Sequence, residues 1–484
     1  MCATSVAERQ VRFAVAILVA VLVATACSQR GPEAYDDVLP SPAQDEDGAD
    51  TDEDTEDADE PESEDGLDLD ERDDTYLFDQ SKLHTFDIEL SEADLAILDA
   101  DPVAEEYVPG TLRFENETIA VGVRYKGSIG AFVGCVDGPE LFDPSGAKTC
   151  TKLSLKVKIN WDDPDTEFLG VRKLQFHSMN LDPSLFHERL GYWLMGEMGV
   201  AAPRSTHARV LVNGEFVGVF ALTENLDGRF TRAHFDDGSG NFYKEVWPFT
   251  PNGGLTDEDM FIAGLRTNEN DPNTNALIIR RFAADLLGTD NPAGTIENWM
   301  DIESTMNHLA VDRTIRHDDG PFHFYCSSTR VDGCSNHNFF FYENPSSSQI
   351  TMVPWDLDNA FSNVVKDANP VTPVPDGFGE IQNDCKPFSY GAFALQQRSA
   401  ACDPLFAAWA TMDDEFAAAV DRLHDGPLRA EIIDPLLDQW EEQIKDAVAE
   451  AATMHSDAID LDDWAEAVEK LRWELEHARN TPAA

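Results

Sequence analysis

The chain has 484 residues, with 92 Asp and Glu against 35 Lys and Arg, and a formal charge of -57. Such a charge repels phosphate and argues against a nucleic-acid partner. The length allows one large two-lobed domain or two domains.

At the N-terminus Arg9 and Arg12 precede the apolar run FAVAILVAVLVATA. The run is shorter than a typical membrane span and reads as an export signal. It ends in VATAC, where Ala24, Thr25 and Ala26 before Cys27 resemble a bacterial lipobox, although Ala24 stands where Leu is usual. That resemblance implies cleavage before Cys27 and its lipidation, hence a membrane partner through a lipid anchor. An ordinary signal peptide or an uncleaved anchor is the plainer reading, and each exports the chain. Residues 28–76 are rich in Pro, Asp and Glu, and Asp45–Asp74 holds 19 acids against the single Arg72. A disordered, self-repelling tether is expected there.

Order is expected over 77–365, followed by a helical part over 366–484. The stretches LHTFDIEL, GTLRFENETIAVGVRYKG, KLSLKVKI and KLQFHSM alternate like strands. A helix follows through SLFHERLGYWLMGEM to Gly199, with Asp182 as the expected N-cap and Pro183 in its first turn. THARVLVNGEFVGVFALTEN then reads as two strands turning at Asn213-Gly214. This first half predicts a mainly antiparallel sheet carrying one helix. NALIIRRFAADLL and MDIESTMNHLAVDRTI have helical periodicity, NHNFFFYEN and QITMVPWDLD predict a short hairpin, and two C-terminal apolar stripes through Trp440 and Trp464 predict packing helices.

Six cysteines beyond the signal fall as neighbours: Cys135 and Cys150, Cys326 and Cys334, Cys385 and Cys402. In an exported chain they predict three local disulfides, although six cysteines allow 15 connectivities. No CxxC pair occurs, so a zinc ribbon is not indicated.

The chemistry-bearing residues come in a definite order. Only 12 lysines occur, and Lys148, Lys152, Lys156 and Lys158 fall within eleven residues. In KLSLKVKI, alternation places Lys152, Ser154, Lys156 and Lys158 on one face and Leu153, Leu155, Val157 and Ile159 on the other. This face suits anions; a solvated strand face is the plain alternative. Upstream, RYKGSIG offers Lys126 and the permissive Gly127, which allows backbone amides near a phosphate, although most such loops are plain turns. Glu188 lies on the helix. Asp318 and Asp319 follow a later helix, Asn338 opens an apolar strand, and Asp356 and Asp358 close the next one. Phosphoryl transfer of the kinase type needs these groups: Lys on phosphate, Glu to orient it, Asp for the substrate hydroxyl, Asn and a second Asp for Mg²⁺.

The stretches RYKGS, KLSLKVKI, LDPSLFHERLGYWLMGEMGVAAPR, VLVNGEFVGVFALTENLD, NFYKEV, HDDG, NHNFFFY and VPWDLDNAF resemble, in combination and order, the spore-coat protein H (CotH) kinase family. They span roughly 80–362. The resemblance implies an α+β, two-lobed atypical protein-kinase-like fold, with an antiparallel-sheet N-lobe carrying one helix and a mainly helical C-lobe. It implies ATP with Mg²⁺ or Mn²⁺, and a protein substrate phosphorylated on Ser or Thr. Carried over by position, Asp319 is the catalytic Asp, with Asp318 as its alternative; Asn338 and Asp356 are metal ligands and Asp358 is a further metal candidate. Lys156 or Lys152 is the phosphate lysine and Glu188 its helix partner. Lys126, Gly127, Lys158 and Glu224 are nucleotide-binding candidates. His187 stands where the family commonly has Arg, and an insertion with Cys326 and Cys334 separates Asp319 from Asn338.

Other readings compete. Paired acids in a turn are commonly solvated caps, and Glu188 suits a surface ion pair equally well. His317, His323 and His337 near the acids suit a metal-dependent hydrolase, but no HExxH or similar spacing supports one. The tether and export signal suit a non-catalytic surface adhesion or envelope-structural module. Transfer of AMP in place of phosphate is a third possibility.

Overall fold

The computed structural model describes residues 73–140, 143–317, 319–365, 385–390 and 395–481. Cys27, the export segment, most of the tether and Asp318 lie outside the described residues. Among the described residues no helix is long and apolar enough to cross a membrane.

The protein is α+β. Its first half is built on β1 (His84–Glu89), β2 (Val108–Phe114), β3 (Glu117–Tyr125), β4 (Leu155–Lys158), β5 (Lys173–His177), β6 (Ser205–Val212) and β7 (Glu215–Thr223). These strands close into a barrel in the order β1-β2-β3-β4-β5-β7-β6. Six neighbouring pairs are antiparallel and β1 runs parallel to β6. A ring with an odd number of strands must contain a like-directed pair, so the sheet predicted from alternation acquires one parallel seam on closing. Phe86, Leu112, Val121, Val157, Phe176 and Val210 fill the interior. Leu153, Leu155, Val157 and Ile159 join that core, as the alternation requires. The β6–β7 turn places Asn213 and Gly214 at φ 55° and 78°, the left-handed pair of a tight hairpin.

Four helices accompany the barrel: α1 (Asp74–Leu77), α2 (Glu92–Ala100), α3 (Ile129–Phe132) and α4 (His187–Glu197). α4 begins later than the sequence pattern predicts. Leu185 has φ 67°, which no α-helix accommodates, and Phe186 is the N-cap. Asp182 caps from outside: its Oδ1 accepts from the Ser184 N–H at 2.9 Å and its Oδ2 from the His187 N–H at 2.8 Å. The helix ends near Gly199, at φ 71°, where expected.

The second half contains α5 (Gly228–His234), α6 (Glu258–Ala263), α7 (Leu277–Gly288), α8 (Pro292–Trp299), α9 (Ile302–Ile315), α10 (Pro404–Trp409), α11 (Asp413–Asp425), α12 (Ala430–Met454) and α13 (Leu461–Asn480). Two small sheets lie among them. One has the order β12-β11-β8, from β8 (Phe242–Lys244), β11 (Phe339–Glu343) and β12 (Ile350–Pro354). The other has the order β10-β9-β14-β13, from β9 (Phe324–Cys326), β10 (Cys334–Ser335), β13 (Phe388–Tyr390) and β14 (Leu395–Arg398). The C-terminal stripes pack as predicted: Trp440 of α12 and Trp464 of α13 flank Phe186, in one core with α4 and α9. Three disulfides, Cys135–Cys150, Cys326–Cys334 and Cys385–Cys402, join chain neighbours as expected.

Candidate active site

The outer face of the barrel forms one side of the site. Cross-strand register aligns Arg124, Lys156, Gln175, Thr223 and Ser205 in one row over β3, β4, β5, β7 and β6. Residues two apart share that face, which adds Lys126 and His177. α4 meets this face with Glu188, whose Oε1 accepts from the Thr223 hydroxyl at 3.0 Å and lies 2.6 Å from His177 Nδ1. His177 Nε2 lies 2.7 Å from Lys126 Nζ. An ammonium only donates, so the imidazole accepts at Nε2 and carries its proton on Nδ1, toward Glu188. Lys126 also stands 5.2 Å from the centroid of the Trp355 ring, which His177 meets edge-on. Glu188 Oε2 is buried without a hydrogen-bond partner.

The other side is built at one end of the sheet β12-β11-β8. Glu245 follows β8, Asn338 precedes β11, and Asp356 lies just beyond β12. All three are left-handed, with φ 54°, 61° and 53°. Non-glycine residues in that region carry a conformational cost and cluster at functional sites. Hydrogen bonds hold them there. Glu245 Oε1 accepts from the Asn338 N–H at 2.9 Å, Tyr192 Oη from the Asp356 N–H at 2.9 Å, and Asn338 O from the Trp355 N–H at 3.2 Å. His317 Nε2 lies 3.1 Å from Asp356 O, and His187 Nδ1 2.9 Å from Asp358 O.

Asp319 sits beside Asn338, whose Nδ2 donates to Asp319 O at 2.8 Å and to Oδ2 at 3.2 Å. Asp319 Oδ1 accepts from Tyr325 Oη at 2.6 Å and lies 3.3 Å from His337 Nε2. Burial works against the charge, but His337 and the Tyr325 hydroxyl outweigh it and hold Asp319 down to about 2. Asp319 is therefore an anion at every physiological pH.

Asp356 and Asp358 behave oppositely. Burial raises Asp356, Glu188 and Asp319 add repulsion, and His177 and Lys126 offset only part of it. Burial and the neighbouring Asp356, Glu188 and Asp319 raise Asp358 well above the ordinary carboxylate range. The acids expected to act together thus share one electrostatic neighbourhood, short of positive charge. Among the described residues no three His, Cys, Asp or Glu side chains form a ready-made metal cage.

Several expected residues stand apart. Lys152 Nζ donates to Val219 O at 3.0 Å beside the Phe220 ring, and burial lowers it to about 8. Lys156 instead lies in the row with Thr223, which bonds Glu188. Lys158 stands between Gly122 and Lys173 at the far end of β4. Gly127 donates its N–H to Glu105 Oε1 at 2.9 Å. The Glu224 carboxylate is taken by Arg204, through Nε at 3.0 Å, Nη2 at 2.6 Å and the backbone N–H at 3.1 Å.

Sequence reasoning did not assign site roles to His177, Tyr192, Glu245 and Tyr325. Glu245 had a local signal, since it lies within the quoted NFYKEV stretch. His177 and Tyr192 act across 11 and 164 positions of chain, which no local pattern encodes, and Tyr325 meets Asp319 over six positions only because the turn between them folds back.

Fold and site together define an α+β protein whose acidic strand ends face a lysine-bearing barrel across an embedded helix glutamate. The family described as CotH kinase protein matches residues 123–480, and the chain belongs to that family. The match includes α12 and α13, beyond the stretches that carry the sequence resemblance. The chain is also similar to inner spore coat protein H of Bacillus subtilis (strain 168), 21% identical over 296 residues that cover 58% of this chain and 69% of that protein.

Proposed function

We propose that the protein is an exported, lipid-anchored phosphotransferase of kinase type. It moves the terminal phosphate of ATP to a Ser or Thr hydroxyl of a surface or secreted protein. The barrel with α4 corresponds on this reading to the N-lobe of a two-lobed kinase, and the helical half to its C-lobe. The observation that carries the proposal is the meeting of Asn338 and Asp356 at neighbouring strand ends, with Asp319 bonded to Asn338, within the field of Glu188 and Lys126. The three disulfides suit an oxidising compartment.

The donor set fits a divalent cation that arrives with the nucleotide. Two mutually repelling carboxylates and an amide form no complete cage, and Mg²⁺ is commonly held by one or two carboxylates together with substrate phosphates. Asp356 and Asn338 would hold it, with Asp358 beside them, and it would neutralise charge on the phosphates. Lys126 and Lys156 supply the remaining positive charge from the barrel face. Asp319, ionised and held by three partners, orients the acceptor hydroxyl. That oxygen bonds to the terminal phosphorus, the bond from phosphorus to the bridging oxygen breaks, ADP leaves, and the hydroxyl proton passes to Asp319 and on to solvent.

The test is incubation of the purified protein with Mg²⁺ or Mn²⁺ and ATP labelled on its terminal phosphate. Label transfer to protein, abolished by Asp319→Ala, is the expected result. Absence of both nucleotide binding and transfer across candidate acceptors overturns the proposal and favours a non-catalytic envelope module. Mass spectrometry of the product separates phosphate from AMP.

A further inference from the structure

Both ends of one disulfide-closed loop touch the same carboxylate. Tyr325, immediately before Cys326, donates to Asp319 Oδ1, and His337, three residues after Cys334, approaches the same oxygen. Asn338 then bonds the other oxygen. The Tyr325 ring is stacked between His323 and His337, with centroids 3.8 Å and 4.9 Å away. Besides the disulfide, the loop's two ends are tied by the stacked Tyr325 and His337 rings and by Asn336 Nδ2, which donates to Pro321 O at 2.8 Å. The β9·β10 ladder has two residue pairs, Cys326 with Cys334 and Tyr325 with Ser335, and is extended by one bond from the Ser327 N–H to Gly333 O at 2.8 Å. β9 is also paired on its other side with β14, Cys326 with Gln396 and Tyr325 with Gln397, so it is the short β10 end, leading to His337 and Asn338, that the disulfide fastens.

We propose that the Cys326–Cys334 disulfide is the positioning element of Asp319, and that the site becomes competent for transfer only once this bond has formed. The inference rests on the reading of Asp319 as the residue that orients the acceptor hydroxyl. The bond forms by exchange with an oxidised dithiol: the partner's S–S bond breaks, the Cys326–Cys334 bond forms, and the two thiol protons pass to the partner's sulfurs. In the finished protein Cys326 and Cys334 are 7% and 3% exposed, so the closed bond is shielded from reductants. The device is a one-way assembly step. A chain still reduced, on the ATP-rich side of the membrane, carries an unclamped Asp319.

The experiment compares the full chain with Cys326→Ser/Cys334→Ser and with Tyr325→Phe, which removes the hydroxyl and leaves the disulfide intact. For both, kcat should fall roughly 10-fold or more, while KM for ATP and the thermal shift given by ATP with Mn²⁺ stay near wild type. Amide hydrogen exchange in the double variant should rise within residues 319–338 and not elsewhere. Unchanged exchange over 319–338, or wild-type kcat in either variant, overturns the inference. If the wild-type protein transfers nothing, the proposed function fails, and the exchange measurement still decides whether the disulfide organises Asp319.

Discussion

Lys126 and Glu188 are connected through the His177 ring, which lies 2.7 Å from the lysine and 2.6 Å from the glutamate. The barrel and the helix thereby communicate through an imidazole. His177→Ala should remove the imidazole that accepts from Lys126 and donates to Glu188, breaking the link between them. Hydrogen bonds to charged groups contribute about 1.5–3 kcal/mol, so affinity for ATP with Mn²⁺ should fall roughly 10-fold or more by calorimetric titration. Wild-type affinity in this variant would falsify a binding role for the relay.

Asp319→Asn keeps the volume and one acceptor but loses the charge. We expect kcat to fall by roughly 10²–10⁴, the range for removing a positioned acid or base. Nucleotide affinity should change little, because the backbone carbonyl of residue 319 still accepts from Asn338 Nδ2 and keeps that strand end in place. A single-turnover assay beside a binding titration separates the two quantities.

The repulsion between Asp356 and Asp358 sets a third expectation. Their proton affinity is raised in the folded state, so the pair destabilises the fold at neutral pH and stability recovers as pH falls through the raised values. Asp358→Asn should therefore raise the melting temperature without cation. Mn²⁺ with ATP should raise it in the wild type and much less in Asp356→Asn. Lower cation-free stability in Asp358→Asn would contradict this electrostatic account.

Glu224 carries the opposite sign. Burial disfavours its charge, but His234 and Arg204 prevail and lower it from 4.5 to about 2. At 1.36 kcal/mol per unit, this corresponds to about 3 kcal/mol for a carboxylate that is 8% exposed. The contribution is complete above about pH 4.5 and is lost as pH falls toward 2. Glu224→Gln should unfold more readily at pH 7, with the difference from wild type closing over that window in denaturant titrations. Its nucleotide affinity should stay near wild type, because the carboxylate is occupied by Arg204.

What was legible in the sequence was local. Alternation located the apolar face of KLSLKVKI, periodicity located the Trp440 and Trp464 stripes, and spacing located the disulfides. The polar face of the same strand was not legible. Lys152 and Lys156 read as a surface open to anions, yet Lys156 is 4% exposed because α4 folds over the barrel. Barrel closure depends on β1 meeting β6 more than a hundred residues away. Glu224 likewise reads as an available acid until Arg204, on the preceding strand side of the hairpin, is seen to occupy it. Asp319, Asn338 and Asp356 were identifiable by type and order, whereas the left-handed backbone that aims Asn338 and Asp356 emerges only from the folded strand ends.

The seven-stranded ring has a mechanical consequence. A strand within a closed barrel is bonded on both sides, so Lys156 cannot shift alone without breaking ladder bonds to two neighbours, and Lys126, one residue past β3, is tied to the same block by its N–H donating to Ser154 O at 3.0 Å. If the site tightens around a nucleotide, the lysine side must travel as a block, and the motion must be taken up where the barrel joins the helical half. Among the described residues the ring also leaves no open strand edge on the first half, which denies a neighbouring chain a place to add a strand.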